Sequence, residues 1–254
     1  MSTDQAPRSA VMPLRMLLLV AIPCALAAQA LPQPGNVLPE TAHKSLVASL
    51  SSAAAHARHI WRDTPPVNAD ASVNAYVEIA RDDRRKFEFD MRTNARRIDR
   101  VMPADIGGYP VNYGFVPQTV SYDGDPFDAL VLGPPLPGGG VIRGLIVGLM
   151  LMEDEKGIDS KVVLSLTDER GRPRHELTEA DQLRIGEYFK IYKKHEPGKF
   201  SRVPGWGSAE EGRAHVEMTH AFFRECQAMT EVVCHIGPRG ATTLPPAATT
   251  AARR

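Results

Sequence analysis

Apolar and polar positions alternate over residues 75–91. Val77 and Ile79 flank Glu78, and beyond the polar stretch Arg81-Asp82-Asp83-Arg84, Phe87, Phe89 and Met91 alternate with Lys86, Glu88 and Asp90. Period two on both sides of a turn predicts a β-hairpin, with Glu78, Lys86, Glu88 and Asp90 opposite the apolar residues. A polar face of this kind either meets water or lines a polar cavity, and the hairpin alone does not choose. Residues 129–132 and 161–166 are short apolar runs, and 141–152 is a long one, interrupted only by Arg143 and glycines, that reads as one or two buried strands; Gly and Pro cluster over 133–140. Many short strands at close spacing predict a small barrel. Two helices follow. Thr178 with Asp181 opens one whose Ile185, Tyr188, Phe189 and Tyr192 share a face. Ser208 with Glu211 forms a capping-box pattern opening the second, which runs to about residue 226. The fold class is α+β: a barrel first, with C-terminal helices outside it.

The ends of the chain read differently. Arg8 and Arg15 precede an uncharged, mostly apolar run of 13 residues, 16–28, and Ala28-Gln29-Ala30 offers a small-x-small cleavage site. That pattern predicts a signal peptide over residues 1–30 and a periplasmic or secreted protein, or a cytoplasmic one if the signal is not used. The run is shorter than the roughly 20 residues that span a bilayer, so no stable membrane anchor is expected. Cys24 raises lipidation as an alternative, which Pro23 directly before it fits poorly. Residues 31–60 read as a Pro-containing linker and an added helix spanning 40–61. His56 and His59 lie one turn apart on it and read as solvated histidines rather than a metal pair. Residues 61–230 form the main domain. The last stretch, 231–254, is rich in Ala, Thr, Pro and Arg and predicts a disordered tail.

Composition narrows the function classes. The 254 residues carry 30 Lys+Arg and 30 Asp+Glu, and losing Arg8, Arg15 and Asp4 with the signal leaves a charge of −1. A dedicated nucleic-acid binder normally carries a basic excess, so no nucleic-acid partner is expected. Three cysteines make neither a disulfide scaffold nor a Cys-rich zinc protein. After export only Cys226 and Cys234 remain, and they can bridge only if the helix ends between them. The chain contains no GxSxG elbow, GxxxxGK[ST] loop, HExxH or CxxC motif.

Carboxylates carry the sharpest signal. Asp123-Gly124-Asp125-Pro126-Phe127-Asp128 holds three in six residues. An EF-hand loop needs Gly at its sixth position, where this run has Asp128. Glu153, Asp154, Glu155 and Asp159 follow the long apolar run, with Lys161 opening the next strand. With Glu78, these make three separated acidic segments at strand ends, and a closed barrel lets them converge. Converging carboxylates need a cation or shifted pKa values. Hard divalent cations such as Mg²⁺ suit them, and paired cations suit phosphoryl transfer. Lys86, Arg100, Tyr192 and Lys193 are the cationic and hydroxyl groups available for phosphate.

The run Gly108-Tyr109-Pro110-Val111-Asn112-Tyr113-Gly114-Phe115-Val116-Pro117, the Asp123–Asp128 element, and Asp154 with Asp159 and Lys161 closely resemble soluble family I inorganic pyrophosphatases. The likeness covers about residues 61–223 and includes Lys199 and Gly205-Trp206. It implies a five-stranded OB-type barrel with flanking C-terminal helices and hydrolysis of pyrophosphate with several Mg²⁺ ions per site. By the resemblance, Asp123, Asp128 and Asp159 hold the first Mg²⁺, and Asp128 reaches a second. Asp154 with Asp159 holds a further ion that arrives with substrate, with Glu78 nearby. Asp125 is the base that deprotonates the attacking water. Lys86, Arg100, Tyr113, Tyr192 and Lys193 bind the phosphates, with Tyr113 close to the nucleophile, while Lys161 and Lys199 support. The resemblance also implies a homo-oligomer, a hexamer of bacterial type. The signal, the added helix and the tail are departures from the family pattern.

Overall fold

A computed structural model describes Ala53 and residues 56–227. The expected signal, the linker, most of the added helix, the tail and Cys24 lie outside the described residues, as does any pairing of the Cys226 and Cys234 side chains. The described elements are, in order, α1 (Ile60–Asp63), β1 (Val73–Ile79), β2 (Arg85–Asp90), β3 (Ala95–Val101), β4 (Asn112–Phe115), β5 (Asp128–Leu132), β6 (Val141–Asp154), β7 (Gly157–Ile158), β8 (Lys161–Ser165), α2 (Glu179–Ile191), β9 (Ser201–Gly207) and α3 (Ala209–Gln227). No helix among the described residues is long and apolar enough to cross a membrane.

β1 pairs antiparallel with β4 on one edge and with β6 on the other. β4 pairs antiparallel with β5, β5 parallel with β8, and β8 antiparallel with β6, so the pairing returns to β1. The 14-residue β6 also carries β7 and β9 on its far half. The result is a mixed sheet with flanking helices.

Period two explains the burial. Along β5, Leu130 and Leu132 enter one apolar cluster and Ala129 and Val131 another. β8 divides likewise, Val163 going to the first and Val162 and Leu164 to the second. Ile185, Tyr188 and Phe189 of α2 complete the first cluster, and Val216 of α3 joins the second. A sheet covered on both faces reads as continuous apolar runs, which is why these strands show no polar alternation.

Both helices begin as expected. Thr178 Oγ1 accepts from the Asp181 amide at 3.1 Å while the Asp181 carboxylate accepts from the Thr178 amide. The Ser208 amide donates to Glu211 Oε2 at 2.6 Å, and Ser208 Oγ accepts from the Glu211 amide at 3.2 Å. These reciprocal bonds satisfy amides that the first helical turn leaves unpaired. Gly114 shows how closely β4 lies on β1, because a Cβ there would collide with the Tyr76 backbone carbonyl.

Three expectations are overturned. β1 and β2 do not form a hairpin. Both edges of β1 are taken by β4 and β6, so β2 pairs instead with β3 in a separate two-stranded ribbon. Nor does a helix run unbroken to residue 61. His56–Arg58 bend, and His59 adopts an extended conformation as the N-cap of α1, with its amide donating to Asp63 Oδ2 at 2.7 Å. The Arg62 guanidinium takes the Ala53 and His56 carbonyls that a continuous helix would have used. His59 is not solvated either. It is fully buried and bonds the Met91 carbonyl at 3.1 Å, while His56 bonds the Arg92 carbonyl at 2.6 Å, so the pair ties the chain to the β2–β3 connection. β3 and β9 carried no usable pattern in the sequence: β3 is dominated by charge, and β9 contains Pro and two glycines.

Burial lowers the pKa of both His59 and His215 below the ordinary 6.5. At these two positions the unfolded chain binds protons more readily than the folded one below pH 6.5, so their contribution to stability falls in that direction, while Glu78 and Asp159, whose carboxyls burial raises, act the opposite way over the same range. The histidine part is therefore read by difference: the melting temperature of His215→Leu relative to the unaltered chain is expected to rise as pH falls from about 7 to about 5. Paired thermal melts followed by circular dichroism across this range check it.

Candidate active site

One cleft of ≈ 760 Å³ lies where strand ends meet the β2–β3 ribbon and the segment after α2. All eleven site residues named from the sequence line it: Glu78, Lys86, Arg100, Tyr113, Asp123, Asp125, Asp128, Asp154, Asp159, Tyr192 and Lys193. Glu78 comes from the end of β1, Asp128 from the start of β5 and Asp154 from the end of β6, with Asp159 just before β8. The ribbon register sets Lys86 opposite Arg100. Tyr192 caps α2, and Lys193 follows it.

Local chemistry explains the acidic turn. Gly124 has φ 88°, in the left-handed region that glycine enters without strain. The Ser121 amide donates to the Asp125 carbonyl at 2.7 Å, and the Asp125 amide donates to Asp123 Oδ1 at 3.1 Å. Buried Phe127 anchors the turn, its amide donating to Thr119 Oγ1 at 2.9 Å. That anchor leaves Asp123 and Asp125 on the loop and Asp128 on the first rung of β5.

Lysines stand between the carboxylates. The Lys161 ammonium, almost fully buried, lies 2.5 Å from Asp128 and 2.8 Å from Asp159. Lys193 reaches Asp154 at 2.6 Å and Glu155 at 3.0 Å. Lys156 lies 3.3 Å from Asp123 and 3.6 Å from Asp125. Among the described residues, no three acidic, His or Cys side chains are already gathered as a metal shell. Three further cations are paired as well: Lys86 with Glu88 at 2.7 Å, Arg100 with Glu196 at 2.6 Å and Lys199 with Glu196 at 2.8 Å.

Negative charge is still in excess. Burial, then the Asp128 charge, pushes Glu78 up to about 8, although the Phe89 amide donates to Glu78 Oε1 at 2.6 Å. Burial likewise raises Asp159 to about 7, with Lys161 opposing and Asp128 adding to the shift. Asp125 is raised chiefly by desolvation and then by Asp123. Burial alone would lower Lys161, but Asp128 and Asp159 outweigh it and hold the ammonium charged. The Tyr113 and Tyr192 hydroxyls are raised by burial and then by nearby carboxylates, so both stay protonated donors. Carboxyls forced towards the neutral form despite three lysines make a donor set that divalent cations fit.

Asp99, Lys156 and Glu196 also line the cleft and were not singled out from the sequence. Asp99 flanks Arg100 and Glu196 lies three residues before Lys199, so proximity to known cations was the only available signal. Removing the buried ammonium tests the electrostatics. Lys161→Met is expected to cost about 3–5 kcal/mol, since it leaves Asp128 and Asp159 facing each other unpaired. Urea denaturation without added metal checks this.

The family described as inorganic pyrophosphatase matches residues 75–224. An inorganic pyrophosphatase of Sulfolobus acidocaldarius is 36% identical over 162 residues, covering 61% of this chain and 93% of the relative. One from Ralstonia nicotianae is 39% identical over 153 residues, covering 57% and 86%. The solved structure of the Thermus thermophilus inorganic pyrophosphatase superposes with TM-score 0.60 at 34% identity, covering 65% of this chain and 99% of that one. The Helicobacter pylori structure gives 0.59 at 30%, covering 64% and 99%. With the family matched over more than half its length, this chain belongs to the inorganic pyrophosphatases.

Proposed function

We propose that the cleft hydrolyses inorganic pyrophosphate to two phosphates with Mg²⁺, and that this happens outside the cytoplasm. The observation carrying the reading is the convergence of Glu78, Asp123, Asp125, Asp128, Asp154 and Asp159 opposite Lys86, Arg100, Tyr192 and Lys193 in one cleft. Asp123, Asp128 and Asp159 would hold the first cations, with Asp154 and Glu78 completing the set. When bound, such ions draw in phosphate oxygens and make a water molecule a nucleophile near neutral pH.

The chain's own residues do the rest. Asp125 stands at the exposed end of the acidic turn, two residues from Asp123 and open to water, and is read as the base that takes the proton of the attacking water. Tyr113 and Tyr192 keep their protons and donate to phosphate oxygens. Lys86, Arg100 and Lys193 supply fixed positive charge for the two phosphoryl groups, exchanging their present carboxylate partners for substrate. Lys161 stays between Asp128 and Asp159 and sets their separation.

We read the circuit β1–β4–β5–β8–β6 as the OB-type barrel expected from the resemblance, with residues 61–230 as the catalytic domain. Assembly into a homo-oligomer belongs to the same reading. Residues 1–30 are read as an export signal, so the mature chain recovered from a cell is expected to begin at Leu31. Its intact mass in fractionated cells checks this, and a chain that keeps residues 1–30 in the cytoplasm overturns the location.

Phosphate release from pyrophosphate is expected to require Mg²⁺. Asp125→Asn is expected to lower turnover by about 10²–10⁴-fold. Asp128→Asn is expected to lose both turnover and the rise in melting temperature that bound Mg²⁺ produces. A folded protein that takes up Mg²⁺ but releases no phosphate would instead be a binding module.

A further inference from the structure

The three lysines that meet the acidic cluster are not equivalent. Lys161 is 1% exposed and contacts two carboxylates at 2.5 and 2.8 Å. Lys193 is 10% exposed and contacts two at 2.6 and 3.0 Å. Lys156 is 52% exposed, and its contacts at 3.3 and 3.6 Å are longer. Among the described residues, Asp123 and Asp125 have ion pairs with Lys156 alone. We propose that Lys156 is a built-in, displaceable counter-ion for the Asp123–Asp125 pair, which competes with the incoming divalent cation and sets how tightly this chain takes up metal. The inference rests on the metal-dependent reading of the cleft given above.

The local backbone places the lysine for this task. Asp154 pairs with Gly157, so Glu155 and Lys156 form a two-residue turn between β6 and β7. Gly157 has φ 118° and closes the turn, and the Lys156 amide donates to Asp154 Oδ1 at 2.7 Å. The root of the side chain is thereby fixed to the acidic cluster, while its four-carbon stem lies half in water. From that root the ammonium spans the cleft mouth to the opposite loop, 33 residues away in sequence from Asp123.

Strength decides which lysine yields. A half-exposed pair is screened by water, carries the entropy of a long flexible stem, and contributes little. A buried pair such as that of Lys161 cannot be opened without leaving charge uncompensated. A divalent cation held by Asp123 would bring twice the charge of one ammonium there and would stand beside Asp125, and so would displace Lys156 while leaving Lys161 in place. Until then Lys156 screens the repulsion between the two carboxylates. The chain therefore trades metal affinity for a metal-free cleft that holds its shape.

The test is calorimetric titration of Mg²⁺ into the full chain without substrate. Lys156→Met keeps most of the stem and removes the charge, and it is expected to tighten Mg²⁺ uptake about threefold to fivefold. Lys156→Gln is expected to act in the same direction, and Lys156→Arg, which keeps the charge, is expected to leave uptake near that of the unaltered chain. In an Asp125→Asn background the gain from Lys156→Met is expected to shrink, because part of the contact is already gone. Equal or weaker Mg²⁺ uptake by Lys156→Met overturns the inference. So does unchanged uptake with a raised KM for pyrophosphate at saturating Mg²⁺, which would make Lys156 a phosphate ligand instead. An unaltered chain that takes up no Mg²⁺ overturns the metal reading of the cleft together with this inference, whereas uptake that is equal in both chains overturns the inference alone.

Discussion

The parallel pairing of β5 with β8 is the constraint on which the site depends. Ala129 lies opposite Val162, so the residues just before them, Asp128 and Lys161, come together at the same end of the sheet. Their buried ion pair then draws in Asp159, two residues upstream of Lys161. A one-residue slip of β5 would send Leu130 and Leu132 to the cluster that Ala129 and Val131 now fill and would part Asp128 from Lys161. Hydrophobic burial therefore holds the register, and the register holds the charges. A buried ion pair by itself is a poor source of stability, because desolvation offsets much of the attraction. Its value here is to fix where Asp128 and Asp159 sit.

Around that centre, separate elements contribute the remaining groups. The ends of β1, β5 and β6 and the approach to β8 supply carboxylates, and the β2–β3 ribbon supplies Lys86 and Arg100. The segment after α2 supplies Tyr192 and Lys193. The ribbon is steadied from outside by residues ahead of the matched family region. His56 and His59 bond its connecting carbonyls, and Asn94 Oδ1 accepts from the Ile60 amide at 2.8 Å. The added N-terminal residues are thus coupled to the element that carries Lys86 and Arg100. That link joins packing far from the cleft to the cleft's own geometry.

Legibility followed the kind of signal each residue carried. Capping pairs such as Thr178 with Asp181 act over one turn and could be read directly. So could apolar runs such as β5 and β8, whose burial on both faces removes the need for alternation. The apparent hairpin failed because alternation records which residues seek burial, not which strand lies alongside, and β1 had already given both edges to β4 and β6. His59 was misread because spacing does not reveal a tertiary partner. β3 left almost no trace, since a ribbon over a solvent-filled cleft can be built largely of charged residues. The comparison with known inorganic pyrophosphatases agrees with the resemblance carried by the Gly108–Pro117 and Asp123–Asp128 motifs.

The sequence by itself determined the inventory: which carboxylates, cations and hydroxyls exist, which runs must be buried, and where two helices begin. These are local properties, set by side-chain chemistry and by hydrogen bonds within a few residues. Only the tertiary structure decided the partners. It placed Lys161 between Asp128 and Asp159, set Lys86 across from Arg100, and carried Lys156 from one turn to the acidic pair on another. Such contacts join residues distant along the chain, and they depend on strand register and on how two helices cover one sheet. Coulomb and packing energies fall with distance in space, which the order of residues does not record.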